Sequence, residues 1–522
     1  MPPDETADDL PRAGRREWTG LALLALPAML VSMDLTVLHL AVPALSAELR
    51  PSSAQLLWIV DVYGFMIAGF LVLMGTLGDR IGRRRLLLLG AAGFGVASVL
   101  AAFATSPGAL IAARALLGVC GATLAPSTVA LIRHMFHDPG QRTRAISLWF
   151  MSFMAGSAIG PLIGGALLGT FWWGAAFLIG VPVMLLLLVA GPALLPEYRD
   201  TTATGRLDLT SALLALAAVL SGMYGLKKAA ESGPAPVPVL AMAAGALGLL
   251  LFVRRQRTLP DPLIDLGLFA GRTVRVALLA LTVGAVAVGG MGYLASQYLQ
   301  LVLDLTPFEA GLWTLPPFLV GVVTTMLAPA LANRVRQGPV IAGGMTSAAL
   351  GLAVLALAGG GRAELGIVIG ALVCLFGGVM PVLALGVDVV VGAAPPERTG
   401  AASAISETTQ ELGIALGIAL LGSCATFVYR RGMEDVLADS AGRSEAADTA
   451  RATMGGAKGA AADLPADVLA AAGQAFTDGL RVAAGAGAAL LLCGAVVAAA
   501  VLRRVPRHSA PADHRDQSTV RT

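Results

Sequence analysis

Long apolar runs dominate the sequence and leave few structures open to it. Runs such as LALLALPAMLVSM, LLLLGAAGFGVASVLAAFA and VPVMLLLLVAGPALL lie in segments that approach or exceed the ~20 residues needed to cross a bilayer. Hydrophobic residues make up 56% of the 522-residue chain and charged residues 13%, about half of the ~25% usual in soluble proteins. A β-barrel would instead show ~10-residue alternation. We therefore expect an all-α polytopic membrane protein.

Hydropathy predicts fourteen transmembrane helices. Most of the 36 Lys and Arg residues fall in the tails and in every second loop, so both termini are expected in the cytoplasm. The predicted spans are near 19–42, 55–77, 86–105, 109–133, 144–168, 172–195, 208–226, 235–253, 273–301, 308–331, 339–358, 363–391, 401–428 and 476–502.

The spacing of the spans predicts a 6+2+6 layout, because polar segments flank the seventh and eighth spans. Two pseudo-symmetric halves with an inserted hairpin are typical of transporters built from repeats. The long Ala-rich loop 429–475, with a helical tip near 464–472, is either a regulatory element or a tolerated insertion. The expected parts are a cytoplasmic tail 1–18, a half 19–195, a hairpin with its linkers 196–272, a half 273–502 that includes 429–475, and a cytoplasmic tail 503–522.

Two glycine-rich motifs are candidates for a role in conformational change. GTLGDRIGRRRLL places a charge cluster between spans two and three, which is either a topogenic loop or a latch that ties helix ends together in one conformation. GSAIGPLIGGALLG places a glycine every fourth residue of span five beside a proline, a face suited to close packing, with or without rocking. The motif residues are Gly75, Gly78, Asp79, Arg80, Gly82, Arg83, Gly156, Gly160, Pro161, Gly164 and Gly165.

Acidic residues inside spans are the main functional candidates, because each costs ~2.5–3.5 kcal/mol on insertion scales. Asp34 and Asp61 lie in spans one and two, and Glu407 and Glu411 share a face of span thirteen. A carboxylate in a partly dehydrated cavity can hold either a proton or an organic cation, and competition between the two is the simplest basis for exchange. The alternatives are a helix-capping Asp34, a hydrated Asp61 and a solvated Glu407–Glu411 stripe. Asp388 is expected to be an interfacial charge.

Aromatic side chains could receive lipophilic cations on their faces, although most of them would also suit the membrane-interface belt. No nucleophile–base pair or phosphate loop is found, so an enzyme is not expected. The four cysteines fall in apolar segments, as packing residues do, and neither a metal nor another cofactor is expected. The aromatic candidates are Trp58, Tyr63, Trp149, Phe153, Tyr293, Trp313 and Phe376.

The motifs, in this order, resemble those of the major facilitator superfamily. GTLGDRIGRRRLL is similar to its motif A, IAARALLGVCGAT to motif B and GSAIGPLIGGALLG to motif C, the antiporter signature. MDLTVLHLAVP and GAASAISETTQELGIALGIALLG resemble the fourteen-helix drug:proton antiporter branch, including QacA- and SmvA-type exporters of quaternary ammonium compounds. In the second half, LANRVRQG lacks the acid of motif A.

The resemblance implies a proton-coupled antiporter that exports lipophilic cationic drugs by alternating access. By analogy with motif B, Arg114 would lie near Asp34, either as part of the proton-coupling site or as a structural ion pair between helices one and four. Among the acids, we expect Asp34, with Arg114 and Glu411, to couple protons, and Asp61, Glu407 and aromatic residues to bind cargo. Expected partners are lipophilic cations, protons and the bilayer of a bacterial plasma membrane; no nucleic acid is expected, and the chain would act as a monomer. An exporter of a native metabolite, or a non-transporting sensor or scaffold, stays open.

Overall fold

The chain forms a bundle of long helices. A computed structural model describes residues 13–197, 208–232, 235–259, 271–357, 364–393, 399–440 and 445–502, and the regular structure in these ranges is helical. The α-helices are α1 (Arg15–Leu49), α2 (Ser53–Ile81), α3 (Arg83–Ala102), α4 (Pro107–Met135), α5 (Pro139–Thr170), α6 (Ala175–Leu178), α7 (Gly180–Leu194), α8 (Leu209–Ser232), α9 (Pro236–Thr258), α10 (Arg272–Leu301), α11 (Pro307–Val335), α12 (Gln337–Leu357), α13 (Glu364–Gly392), α14 (Thr399–Ser440), α15 (Glu445–Ala452), α16 (Met454–Gly459) and α17 (Ala466–Leu502).

Thirteen predicted spans correspond to one helix each, and the span near 172–195 corresponds to α6 and α7 together, which confirms the fourteen-helix fold. Thirteen segments, with α6 and α7 counted as one, are long and apolar enough to cross a membrane, and the bent α1 is the fourteenth. Its segments Arg15–Asp34 and Thr36–Leu49 meet at 42°. The Thr36 hydroxyl donates to the Met33 carbonyl over 3.0 Å. Such back-bonding often bends helices, and here it occurs at the bend.

Four predicted boundaries differ from the structure by six residues or more. The first span does not end near residue 42, because α1 continues to Leu49. The seventh span does not end near residue 226, because α8 continues to Ser232. The thirteenth span extends beyond 428 as α14, and the last begins at Ala466, ten residues before 476. The helical tip expected near 464–472 consists largely of the first turns of α17. Hydropathy detects only the apolar part of a helix, whereas these helices continue as polar turns beyond it.

The two six-helix halves repeat the same packing. Helix α1 packs on α5 as α10 packs on α14, and α2 packs on α4 as α11 packs on α13. Helices α8 and α9 pack on each other, and α8 also lies against α2 and α14, one helix from each half. The inserted hairpin therefore covers a junction between the halves.

The turn between the second and third helices of each half lies against the end of the sixth. Gly82 has φ 106°, a conformation that side chains rarely adopt, and its backbone lies against the Glu197 carboxylate. In the second half, Gly338 lies against Leu502 at the end of α17. Although LANRVRQG lacks the acid of motif A, it keeps the close approach of this turn.

The glycines of motif C allow α5 to lie directly on two neighbours. A Cβ added at Gly164 would lie 2.8 Å from Cγ1 of Val37 on α1. One added at Gly165 would lie 2.6 Å from Cα of Phe308 on α11. Motif C therefore packs α5 against its own half and against the other half at once.

Contacts between the halves occur at the end of the bundle opposite the start of α1 and the end of α17. The rings of His39 and Tyr293 meet edge to face with centroids 5.7 Å apart, and the Ser296 hydroxyl lies 3.3 Å from the His39 carbonyl. Gly422 on α14 lies against Leu57 on α2. The two halves therefore close this end of the bundle.

Helices α15 and α16 lie over this closed end. The Tyr429 hydroxyl donates to the Ala450 carbonyl over 2.6 Å, and Gly455 packs on Ser46 of α1. Lys458 forms an ion pair with Asp304, which follows α10. These short helices therefore contact both halves, as an ordered cap.

Candidate functional site

An ion pair lies at the bend of α1. The Arg114 Nη1 donates to Asp34 Oδ2 over 2.6 Å; the arginine side chain is fully buried and that of Asp34 is 11% exposed. Helix α4 delivers this arginine from motif B, 80 residues along the chain from its partner. The sequence places Arg114 near Asp34 only by resemblance, and the structure brings them into contact.

The same arginine holds α2. Its Nε and Nη2 donate to the carbonyls of Ile59 and Val60 over 3.1 and 3.3 Å. Its guanidinium carbon lies 4.6 Å from the centroid of the Tyr63 ring, within cation–π distance. Arg114 therefore ties α1, α2 and α4 together, and its charge is balanced chiefly by Asp34.

A second ion pair involves Asp61, the residue that follows Val60 on α2. Lys227 Nζ donates to Asp61 Oδ1 over 2.6 Å, and neither side chain has exposed surface. Asp61 also interacts electrostatically with Arg114. The lysine belongs to the inserted hairpin, so this pair joins α8 to the first half.

Glu407 and Glu411 lie on α14, in the other half. Glu407 is exposed and interacts electrostatically with Arg133 on α4. Glu411 is more deeply placed: its Oε2 is buried, and no hydrogen-bond partner for it occurs within the described residues. Glu411 interacts electrostatically with Glu407, one turn earlier on the same helix. The buried hydroxyl of Tyr63, on α2, has no hydrogen-bond partner within the described residues.

The aromatic candidates divide into two groups. Trp58 and Tyr63 lie beside the buried cations Lys227 and Arg114. Trp149 is buried on α5 and stacks on Phe153 with centroids 6.4 Å apart. Trp313 is 40% exposed on α11, and across the described part of the chain no hydrogen bond or ring contact joins it to the acids.

Motif A makes its described contacts within the first half. The Arg84 Nε lies 3.4 Å from Glu197 Oε2, and the Arg84 backbone N–H donates to Oε1 over 3.2 Å. Arg80 is in the last turn of α2, and Arg83 is buried. The side chain of Asp79 lies outside the described residues. A latch by Asp79 therefore stays a prediction.

Sequence reasoning missed Lys227 and Glu197. Lys227 was assigned to a loop because it follows the apolar run of α8, and its partner is 166 residues away. The available signal was the tendency of an acid buried in a span to pair with a basic residue. Glu197 follows an apolar span closely, a position typical of a membrane-surface charge.

The relatives of the chain are transport proteins. The chain is 42% identical over 499 residues to the multidrug efflux pump LfrA of Mycolicibacterium smegmatis, covering 94% of this chain and 98% of the relative. It is 37% identical over 421 residues to the methyl viologen resistance protein SmvA of Salmonella typhimurium, covering 78% and 82%.

The fold is shared with a solved transporter. A bacterial homologue of the human lysosomal transporter Spinster, in an inward-facing and unoccupied conformation, has a TM-score of 0.64 at 18% identity, with 94% of this chain and 98% of that chain covered. At this identity the likeness concerns the fold alone. The family model of the Major Facilitator Superfamily matches residues 24–418. The motifs, the paired six-helix halves and these matches together show that the chain belongs to the Major Facilitator Superfamily.

Proposed function

We propose that this protein is a proton-coupled antiporter that exports lipophilic cationic drugs across a bacterial plasma membrane, with both termini in the cytoplasm. The observation that carries the proposal is the Asp34–Arg114 pair, buried at the bend of α1 and tied to α2. The efflux pump and the resistance protein named above support the cargo class. With this orientation, the closed end faces outward and the structure is inward-facing.

The ion pair gives protonation a mechanical effect. When Asp34 is ionised, Arg114 attaches α1 to α2 and α4. A proton on Asp34 removes the negative partner, whereas Arg114 keeps its hydrogen bonds to Ile59 and Val60 on α2. The attachment of α1 weakens as a result, at its bend and next to the glycine face of α5. The smooth contact between α1 and α5 allows the two helices to rearrange.

The acids of α14 complete the exchange. Glu407 is not covered by protein and can meet a cation arriving from the cytoplasm. Glu411 has a buried oxygen without a partner in the described residues, so it can accept either a proton or a hydrogen bond from cargo. Because Glu407 and Glu411 interact electrostatically, a cation bound at one of them opposes protonation of the other.

Proton release in everted vesicles tests this proposal. With an acidic lumen and a quenched pH dye inside, addition of ethidium or a quaternary ammonium compound should drive protons out of the lumen. Asp34→Asn should abolish the response, whereas Asp388→Asn, the same change in an acid that accepts from Gln337 over 2.9 Å, should retain it. Equal responses in both variants would contradict the proposal. A panel that includes native metabolites separates drug export from self-resistance.

A further inference from the structure

The inserted hairpin places a cation against an aromatic and acidic cluster on α2. Lys227 Nζ lies 4.0 Å from the centroid of the Trp58 ring and 5.7 Å from that of Phe65, in addition to its 2.6 Å contact with Asp61. We call Trp58, Asp61 and Phe65 the α2 cage. All three belong to the first half, and Lys227 is a cation supplied to the cage from the hairpin.

The chemistry of the cage suits an organic ammonium ion. Aromatic faces attract cations more strongly when water is excluded, and a buried carboxylate supplies the opposite charge. The Asp61 Oδ2 atom is buried, and no hydrogen-bond partner for it is present among the described residues. The cage therefore has acceptor capacity that Lys227 does not use.

The hairpin is held near the cage mainly by apolar contacts. Phe65, with Ala415 and Ala419 of α14, forms a small buried cluster on which side chains of α8 pack. The residues of α8 in this cluster are Val219, Leu220 and Met223. Because apolar contacts do not require the ion pair, Lys227 can leave the cage while α8 stays docked at the junction of the halves.

We propose that Lys227 is a tethered competitor that occupies a binding site for the ammonium group of the cargo, and that cargo binding displaces it. This inference rests on the proposed export of cations and names the site at which one is held. A site that is occupied most of the time by an internal ligand binds an external one with an affinity reduced by the vacant fraction. Removing the lysine should therefore tighten cargo binding. An ion pair that only fastens the hairpin predicts no such gain.

Equilibrium binding of labelled phenyltrimethylammonium to the purified full-length protein in detergent tests the competition. Lys227→Met should lower the Kd at least tenfold. Lys227→Gln, which keeps a hydrogen-bond donor for Asp61 and so protects folding, should lower it in the same direction. Lys228→Met, the same change at the adjacent lysine, is the matched control and should leave the Kd within twofold.

The double variant Lys227→Met/Asp61→Asn assigns the gain to the cage, because it should return the Kd to the wild-type value or above. If folded Lys227→Gln binds the cation no more tightly than wild type, the competition is wrong. The outcome is independent of proton coupling, because no gradient is present. If the Lys227 variants bind the cation no more tightly while the vesicles exchange protons for cations normally, only the competition by Lys227 is contradicted. If the variants bind more tightly but the vesicles show no exchange, only the proposed antiport is contradicted.

Discussion

Arg114, whose side chain is fully buried, lies 2.6 Å from Asp34 at the point where α1 bends by 42°. The pair joins the bent helix α1 to α4, which carries the arginine, and to α2, whose carbonyls accept from it. A change of charge at the Asp34 carboxylate therefore alters the contacts that join α1, α2 and α4. This coupling of charge to helix position is the physical basis of the proposed antiport.

Asp34→Asn should destabilise the protein as well as uncouple it. Removing one partner of a buried ion pair leaves the other charge uncompensated, at a cost of ~3–5 kcal/mol. The double variant Asp34→Asn/Arg114→Leu removes both charges and should recover most of the loss. Thermal unfolding in detergent measures both. A double variant as unstable as the sum of the single variants would show that the two residues do not interact.

Gly164→Ala should impair packing of α5 on α1. The added methyl group would lie 2.8 Å from Val37 Cγ1, and overpacking of this kind costs about 1–3 kcal/mol. Gly169→Ala, five residues along the same helix, meets no atom within 4 Å and is the control. We expect slower cation export and a lower melting temperature for the first variant only. Identical behaviour of the two variants would show that the close approach has no consequence.

Two glycines of motif A should respond differently to alanine. Gly82→Ala forces a side chain into φ 106° and against Glu197, and strain in such regions costs about 1–3 kcal/mol. Gly75→Ala meets open space. Unfolding measurements in detergent should show a loss of stability for the first and little change for the second. If Gly82→Ala is as stable as wild type, the turn does not require glycine.

Tyr429→Phe should loosen the cap of α15 and α16. The variant removes the hydrogen bond to the Ala450 carbonyl, which is worth ~0.5–1.5 kcal/mol, and leaves the ring in place. Hydrogen exchange of residues 445–459 should become about two- to tenfold faster, while exchange in α4 stays unchanged. Unaltered exchange over 445–459 would mean that this hydrogen bond does not hold the cap.

The helices and the family were predictable from the sequence because both depend on local patterns. Apolar length defines a span wherever it occurs, and motif C records a contact in the spacing of its own glycines. The acids Asp34, Asp61 and Glu411 were identifiable because placing a carboxylate in a membrane span costs free energy, so such a residue indicates a function. None of these inferences needs knowledge of which helices are neighbours.

The contact partners of those acids were harder to predict from the sequence. Asp61 contacts Lys227 only because the hairpin packs against α2 and α14. This tertiary packing cannot be predicted from a local sequence pattern. Hydropathy places Lys227 in a loop, because the apolar run of α8 ends just before this charged residue. The same limit explains the boundaries of α14 and α17, whose polar turns stay helical beyond the apolar run.

The central claim is that bound protons and bound cargo exclude one another at Asp34, Glu407 and Glu411. Proton release on addition of a quaternary ammonium compound to the purified protein, in weakly buffered detergent, measures this directly. We predict release from the wild type and none from the triple variant Asp34→Asn/Glu407→Gln/Glu411→Gln. Cargo binding without release in the wild type, or equal release from the triple variant, would contradict the account.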